Sequence, residues 1–412
     1  MFTKNDYDKK IKKIVERNKG KCYFPGCKNI NIFSHVISKS ISMSVIAKDN
    51  HVLKFSPSRF KDEKIPKFLP AGINETPAFN GFCKEHDNIF KQIDDHEIEN
   101  LFGVYLQIYR TITSEIHSLG IGSVLYPDLD IDTAIAKIAA DTRCELEEKN
   151  EIIDEEKFQI ALTKIKETLV KTNIEKNKKL ESSHKTIEVT QGYFLSEIIS
   201  NKTKLTNTSL TKNTLQVFDL EVIKSQLFIY ITDFQIPVAI STMHTCPGIY
   251  IDQPNTNHFF IVIPYVNGNI IIGLINNLIP QKMLWKITNK VNNSFKNEIS
   301  ILNFVETLVI SSPDGTYFSP DVIESMEDTK RKAFTEDCMF LHEFLSSEKY
   351  FSDYDLSIFD HVRSNLFTKL SIESQDVIAK IYSIPARKSY EERLYEMKDK
   401  IDKENIILQT LN

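Results

Sequence analysis

No run of about eighteen apolar residues occurs in this chain, so nothing in it reads as a membrane-spanning helix. The opening "MFTKNDYDKKIKKIVERNKGK" also lacks the apolar stretch that a secretory signal requires. Cysteine is scarce, with six in 412 residues, and Cys144, Cys246 and Cys338 are scattered. A disulfide framework is therefore not expected. These absences together predict a cytoplasmic protein in a reducing compartment. Internal repeats, low-complexity tracts, a phosphate-binding P-loop and a dinucleotide fingerprint are missing as well. Solenoids and the common nucleotide-binding folds are set aside on that ground.

What is present is an ordinary globular composition, 41% hydrophobic, in a chain long enough for two or three domains. The net charge of -5 hides an asymmetry. Residues 1–70 carry 16 Lys and Arg against 6 Asp and Glu, a balance of +10, and "KKIKKIVERNKGK" concentrates that charge just before the first cysteine. Only this end has the electrostatics to attract a polyanion; a solvated amphipathic helix is the plainer reading of a charge run taken alone.

Hydrophobic periodicity divides the rest into three zones. Residues 5–18 read as a short helix, and 28–82 as short irregular segments with long loops. From 84 to 200 the pattern is helical, a bundle or arm whose Phe, Leu and Ile stripes are core positions. The polar stretch 200–213 reads as a linker. Beyond it, "QLFIYITD", "HFFIVIPYV" and "NIIIGLI" predict a mostly antiparallel sheet, with a turn at "NGN", 267–269, and helices after about residue 280, including a long one near 320–346. The expected class is α+β, divided into a basic module at 1–92, a helical middle at 93–200 and a sheet-plus-helices domain at 213–412.

Two ligand pairs bracket the irregular segment: Cys22-x4-Cys27, written "CYFPGC", and Cys83-x2-His86, within "GFCKEHDNIFK". Pro25 and Gly26 favour the tight turn of a zinc knuckle. A helix beginning at Cys83 would put Cys83 and His86 on one face. Three thiols and one imidazole suit tetrahedral Zn2+ in a closed, structural site. Free buried cysteines are the competing reading, but they leave the spacing and the thin core of 28–82 unexplained.

The pairs leave His35 and Asp87 without a role. With the cysteines, His35-Val36, Lys39-Ser40, His86, Asp87 and Lys91, residues 20–92 resemble the HNH endonuclease superfamily, whose module is the ββα-metal, treble-clef zinc fold. That resemblance implies a metal-dependent phosphodiester hydrolase, acting on DNA more than RNA. It implies His35 as general base, Asp87 as ligand of a catalytic Mg2+ or Mn2+, and Asn80, or else Asn74, as the Asn that orients the histidine. Lys39, Lys48, Arg59 and Lys91 would hold flanking phosphates. Three positions depart from the family pattern: Ser34 stands where an acidic residue is common, His86 replaces a fourth cysteine, and Asp87 replaces Asn or His.

Outside the motif, His51 is a second candidate ligand or partner of His35, and an exposed loop histidine is the alternative. His96 reads as a helix-surface residue, and His244, Cys246 and His258 as structural. The layout suggests an effector joined to a sensing part, as in defence against phage or in a toxin, with an activating partner or ligand at the C-terminal domain. The helical middle offers a surface for a homodimer, and no membrane association is expected. The alternative function is a zinc-stabilised module that binds nucleic acid or protein without cutting.

Overall fold

The computed structural model describes residues 20–56, 67–125, 135–136, 138–140, 142–143, 154–246, 256–279, 281–340, 352–372, 378–379, 381 and 383–396. The helix expected at 5–18, Arg59, Cys144 and the stretch "GIYID", 248–252, whose β-rich composition also predicts a strand, lie outside them.

The N-terminal region begins with a turn at 22–27 and strand β1 (Phe33–His35). A short helical segment over 39–46 follows, then β2 (His51–Ser56), β3 (Lys67–Gly72) and β4 (Ala78–Asn80). Two short helices, α1 (Lys84–Asp87) and α2 (Lys91–Asp95), close it. Next comes an antiparallel helical pair, α3 (Leu101–Leu125) and α4 (Glu155–Ser200). Asp154 starts α4 by accepting the Lys157 N–H, a polar cap placed where the helix would otherwise leave donors unpaired. The polar stretch read as a linker contains α5 (Lys202–Thr206), and Ser209 bridges to Asn100.

Strands β5 (Gln216–Leu220), β6 (Ser225–Ile231), β7 (Val238–Cys246), β8 (Thr256–Tyr265) and β9 (Gly268–Asn276) form the body of the sheet. Helices α6 (Gln281–Ser294) and α7 (Glu298–Ser311), strand β10 (Thr316–Phe318), and helices α8 (Pro320–Glu324), α9 (Asp328–Met339) and α10 (Asp360–Lys369) follow. The single long helix expected near 320–346 is thus two helices, α8 and α9, with 341–351 outside the described residues. The β8–β9 turn falls at Val266 and Asn267, one position earlier than "NGN", because Tyr265 pairs with Gly268.

Among the described residues the strands form two antiparallel sheets. One pairs β1 with β4 alone; the other has eight strands in the order β3-β2-β10-β7-β8-β9-β6-β5. Strands β2 and β3 therefore do not form loops of a small metal module. They extend the edge of the large sheet, Leu53 lying opposite Phe318 of β10. The fold is mixed α+β with a large antiparallel sheet.

The strand sequences explain the layering. Every residue of β8 and β9 is buried, because helices cover both faces of the sheet, and so "HFFIVIPY" runs apolar without alternation. Phe259, Ile261 and Ile263 join a core with α3, α4 and the N-terminal region. Phe260 and Val262 join a second core with α6, α7 and α9. At the centre, Gly273 accommodates the ring of Phe228; an added Cβ would come within 2.0 Å of it.

Candidate metal centre

The turn at 22–27 is closed by the Cys27 N–H donating to the Phe24 carbonyl at 3.1 Å and by the Cys22 N–H donating to the Asn29 carbonyl at 3.0 Å. Gly26 takes the left-handed region, φ +76°, where a side chain would strain the turn. The Tyr23 N–H donates to the Gly81 carbonyl, and the Ile32 N–H to the Phe82 carbonyl, which brings the turn against the start of α1. Cys83 caps that helix and His86 lies within its single turn.

The four ligand atoms converge. His86 Nδ1 lies 3.5 Å from Cys22 Sγ and 3.3 Å from Cys83 Sγ, and the Cys27 and Cys83 sulfurs are 3.9 Å apart. All four atoms are within 4.8 Å of one another. A tetrahedron built on Zn–S bonds of about 2.3 Å has edges of about 3.8 Å, so the spacing fits an ion of that size. The Phe24 N–H points at Cys22 Sγ and the Asn29 amide at Cys83 Sγ, donors that would stabilise thiolates. The Phe24 ring stacks on His86, centroids 3.8 Å apart, and fixes the imidazole plane. Burial pushes the Cys22 thiol up to about 11. Burial acts the same way on Cys83, but hydrogen bonds from the His86 backbone and the Asn29 amide outweigh it and hold that thiol at about 6. The group can hold a metal ion, and its donor set and closed geometry are compatible with a structural zinc.

His35 ends β1 opposite Ala78 of β4, so strand alternation puts it on one face of the hairpin with Phe33 and Asn80. The imidazole hydrogen-bonds the backbone of Ile73. Its Nε2 is buried and has no partner. Burial lowers its pKa, opposed by the Ile73 bond and assisted by the Arg110 charge. Thus the ring is neutral at pH 7, with an unoccupied lone pair on Nε2.

Asp87 accepts a hydrogen bond from the Ser34 hydroxyl, whose oxygen also receives the Phe82 N–H at 3.4 Å. Burial raises the Asp87 carboxyl, while Ser34 and the charges of Arg110 and His35 pull it down. His35 and Asp87 are near enough to feel one another's charge. They do not assemble into a second ligand group: among the described residues the Cys3His cluster alone brings three or more metal-ligating atoms into mutual reach.

The other expected residues are distributed as follows. Asn80 sits on β4 with its carbonyl accepting from the Asn31 amide, and Asn74 is exposed; the main chain of Ile73, rather than either side chain, bonds His35. Lys39 and Lys91 are exposed near the hairpin. Lys48 is held by Asp321 at 2.8 Å and Glu324 at 3.2 Å on α8, which occupies the ammonium expected to meet phosphate. His51 is exposed on β2 and bonds the Asp49 carbonyl; His96 is exposed at the end of α2. His244 and His258 are buried and face one another across β7 and β8, as structural residues do.

Sequence reasoning passed over Arg110 and Asp94. Arg110 is 1% exposed, pairs with Asp94 at 2.7 Å and lies over the Phe90 ring. The Asp94 carbonyl receives the hydroxyls of Ser38 and Ser40, which anchors the segment just after His35. The signal was an arginine within the apolar stripe of α3, where a charge persists only if paired. Comparisons with protein families, with curated proteins and with solved structures found no match.

Proposed function

We propose that the hairpin, the Cys3His group and α1 form an HNH-like, treble-clef nuclease module that hydrolyses phosphodiester bonds, with DNA as the preferred substrate. The observation that carries this reading is the neutral His35 with its Nε2 lone pair buried and unclaimed. The His258 Nε2 is unpartnered as well, inside the large sheet; what distinguishes His35 is that its open nitrogen sits on the strand of the HNH-like motif, and a general base there accounts for it. In that role Nε2 takes a proton from water, the water oxygen bonds phosphorus, and the opposite P–O bond breaks with solvent protonating the leaving oxygen. The Ile73 backbone holds the ring in the required tautomer, and zinc would hold the strand against α1.

The resemblance also implies Mg2+ or Mn2+ at Asp87, which would neutralise phosphate charge when bound. Asp87 bonds Ser34, and among the described residues no group of three ligands includes it, so the reading rests on His35 and not on that ion. The same observation favours a second reading, a zinc module that binds nucleic acid or protein without cutting. Plasmid cleavage with Mg2+ or Mn2+ separates the two. Under the nuclease reading, His35→Ala loses about a hundredfold or more in rate at unchanged zinc content. Equal nicking by both proteins, or by neither, rules that reading out.

A further inference from the structure

The three sulfurs of the Cys3His group are not equally shielded. Cys22 and Cys83 are 5% and 3% exposed, and each sulfur takes an N–H, from the Phe24 backbone at 3.4 Å and from the Asn29 amide at 3.8 Å. Cys27 is only half-buried, and among the described residues no N–H donates to its sulfur. An N–H bond draws charge from a thiolate and burial keeps solutes away from it. Cys27 is therefore the sulfur that an electrophile in solution can reach.

Its neighbour decides the product. The Cys83 sulfur lies 3.9 Å from that of Cys27 and belongs to a different element, the start of α1. A disulfide bond is about 2.05 Å long, so closing it takes a movement of about 2 Å, shared between a turn and a helix start. Joining Cys27 to Cys83 leaves only Cys22 and His86 of the four ligands, too few for a closed zinc site. It also keeps the 22–27 turn tied to α1, so that reduction returns all four ligands to the same place.

We infer that the Cys3His group is a peroxide-sensitive redox switch, in which Cys27 is oxidised, Cys83 resolves it as a disulfide, and the chain gives up the metal. In the first step the Cys27 thiolate attacks one peroxide oxygen, the O–O bond breaks and hydroxide departs, which leaves a sulfenic acid on Cys27. The Cys83 thiolate then attacks the Cys27 sulfur, the S–O bond breaks and a second hydroxide departs. Two protons from solvent turn the hydroxides into water. The two sulfurs together lose two electrons, which the peroxide gains. The inference does not depend on the nuclease reading.

The test treats the full-length zinc-loaded protein with hydrogen peroxide, follows metal release with a chromogenic chelator and maps the product by non-reducing peptide mass spectrometry. About one equivalent of zinc should appear together with a peptide linking Cys27 to Cys83, and a phosphine reductant with added zinc should restore the metal content. Cys27→His keeps four ligands of a common zinc set and removes the reachable sulfur, so release should slow about tenfold or more. Should that variant fail to take up zinc, dimedone added with peroxide to the unaltered protein should form its adduct on Cys27 and not on Cys22 or Cys83. Zinc retained under peroxide that oxidises free cysteine, a link or adduct at Cys22, or release without a disulfide would each overturn the inference.

Discussion

At the scale of single residues, burial acts to different depths on His35, half-buried, and on His244 and His258, fully buried. His35 keeps a hydrogen bond to Ile73 and an open Nε2; His258, whose Nδ1 accepts the Asn276 N–H and whose Nε2 is also unpartnered, and His244 lie deep in the sheet, where burial pushes them down to about 3 and about 4, His258 further because it faces His244. Their folded values lie below the unfolded value of about 6.5, so the unfolded chain binds more protons. Stability from this pair is complete above about pH 6.5 and is lost as pH falls toward 4 and then 3. Unfolding free energies from urea titrations at pH 7.5 and at pH 4.5 should therefore differ by an amount on the order of several kcal/mol, and His258→Gln should narrow the gap. If His35 is a base, its lowered pKa puts the acidic limb of the pH–rate profile below about 6.5, with a plateau at neutral pH. A limb centred above 7 would assign the proton transfer elsewhere. Ser34 carries a separate consequence: Ser34→Ala strips a donor from Asp87 and an acceptor from the Phe82 N–H, a loss of about 1–3 kcal/mol in a denaturant titration.

Elements differ in how far the sequence disclosed them. The Cys3His group was legible because ligand spacing is a local matter: a tight turn at Gly26 and a helix start at Cys83 each fix two ligands, and four atoms then meet. Strands β8 and β9 were legible because burial on both faces leaves an unbroken apolar run. The partners of β2 and β3 were not. "HVLKFS" has no local mark that its neighbour is β10, more than 200 residues later, because pairing depends on a register that only the assembled sheet supplies. Arg110 was missed for a related reason, its partner Asp94 lying on another helix. The metal site leads to a prediction at this scale. Cys83→Ser, or chelation, should remove a stabilisation on the order of 10 kcal/mol from the ligand-bearing segments. Hydrogen exchange should then rise at 20–35 and 78–92 while β6, β8 and β9 stay protected; protection unchanged at the hairpin would show that the metal is dispensable. In the second core, Arg363, 1% exposed, pairs with Glu306, which also receives the Ile358 N–H at 2.8 Å. Arg363→Met should cost about 3–5 kcal/mol, since it strands a buried carboxylate.

The whole molecule is an antiparallel sheet with a helical layer on each face and a charge of +10 within its first 70 residues. If that charge meets a polyanion, affinity for DNA should fall with salt by roughly 0.9 log units per log unit for each phosphate neutralised. A response flat in salt would point to a protein partner instead. The connectivity also bears on the order in which the protein is made. Strand β2 leaves the ribosome about 260 residues before β10, so at roughly 5–20 residues per second it waits on the order of tens of seconds for the neighbour on its far side from β3. During that interval β2 presents a bare backbone edge to the crowded solution, and the metal pairs on either side of it can close only a loop whose middle is still unclaimed. Nascent chains stalled before residue 316 should therefore be the aggregation-prone ones, and chains released after 318 should not.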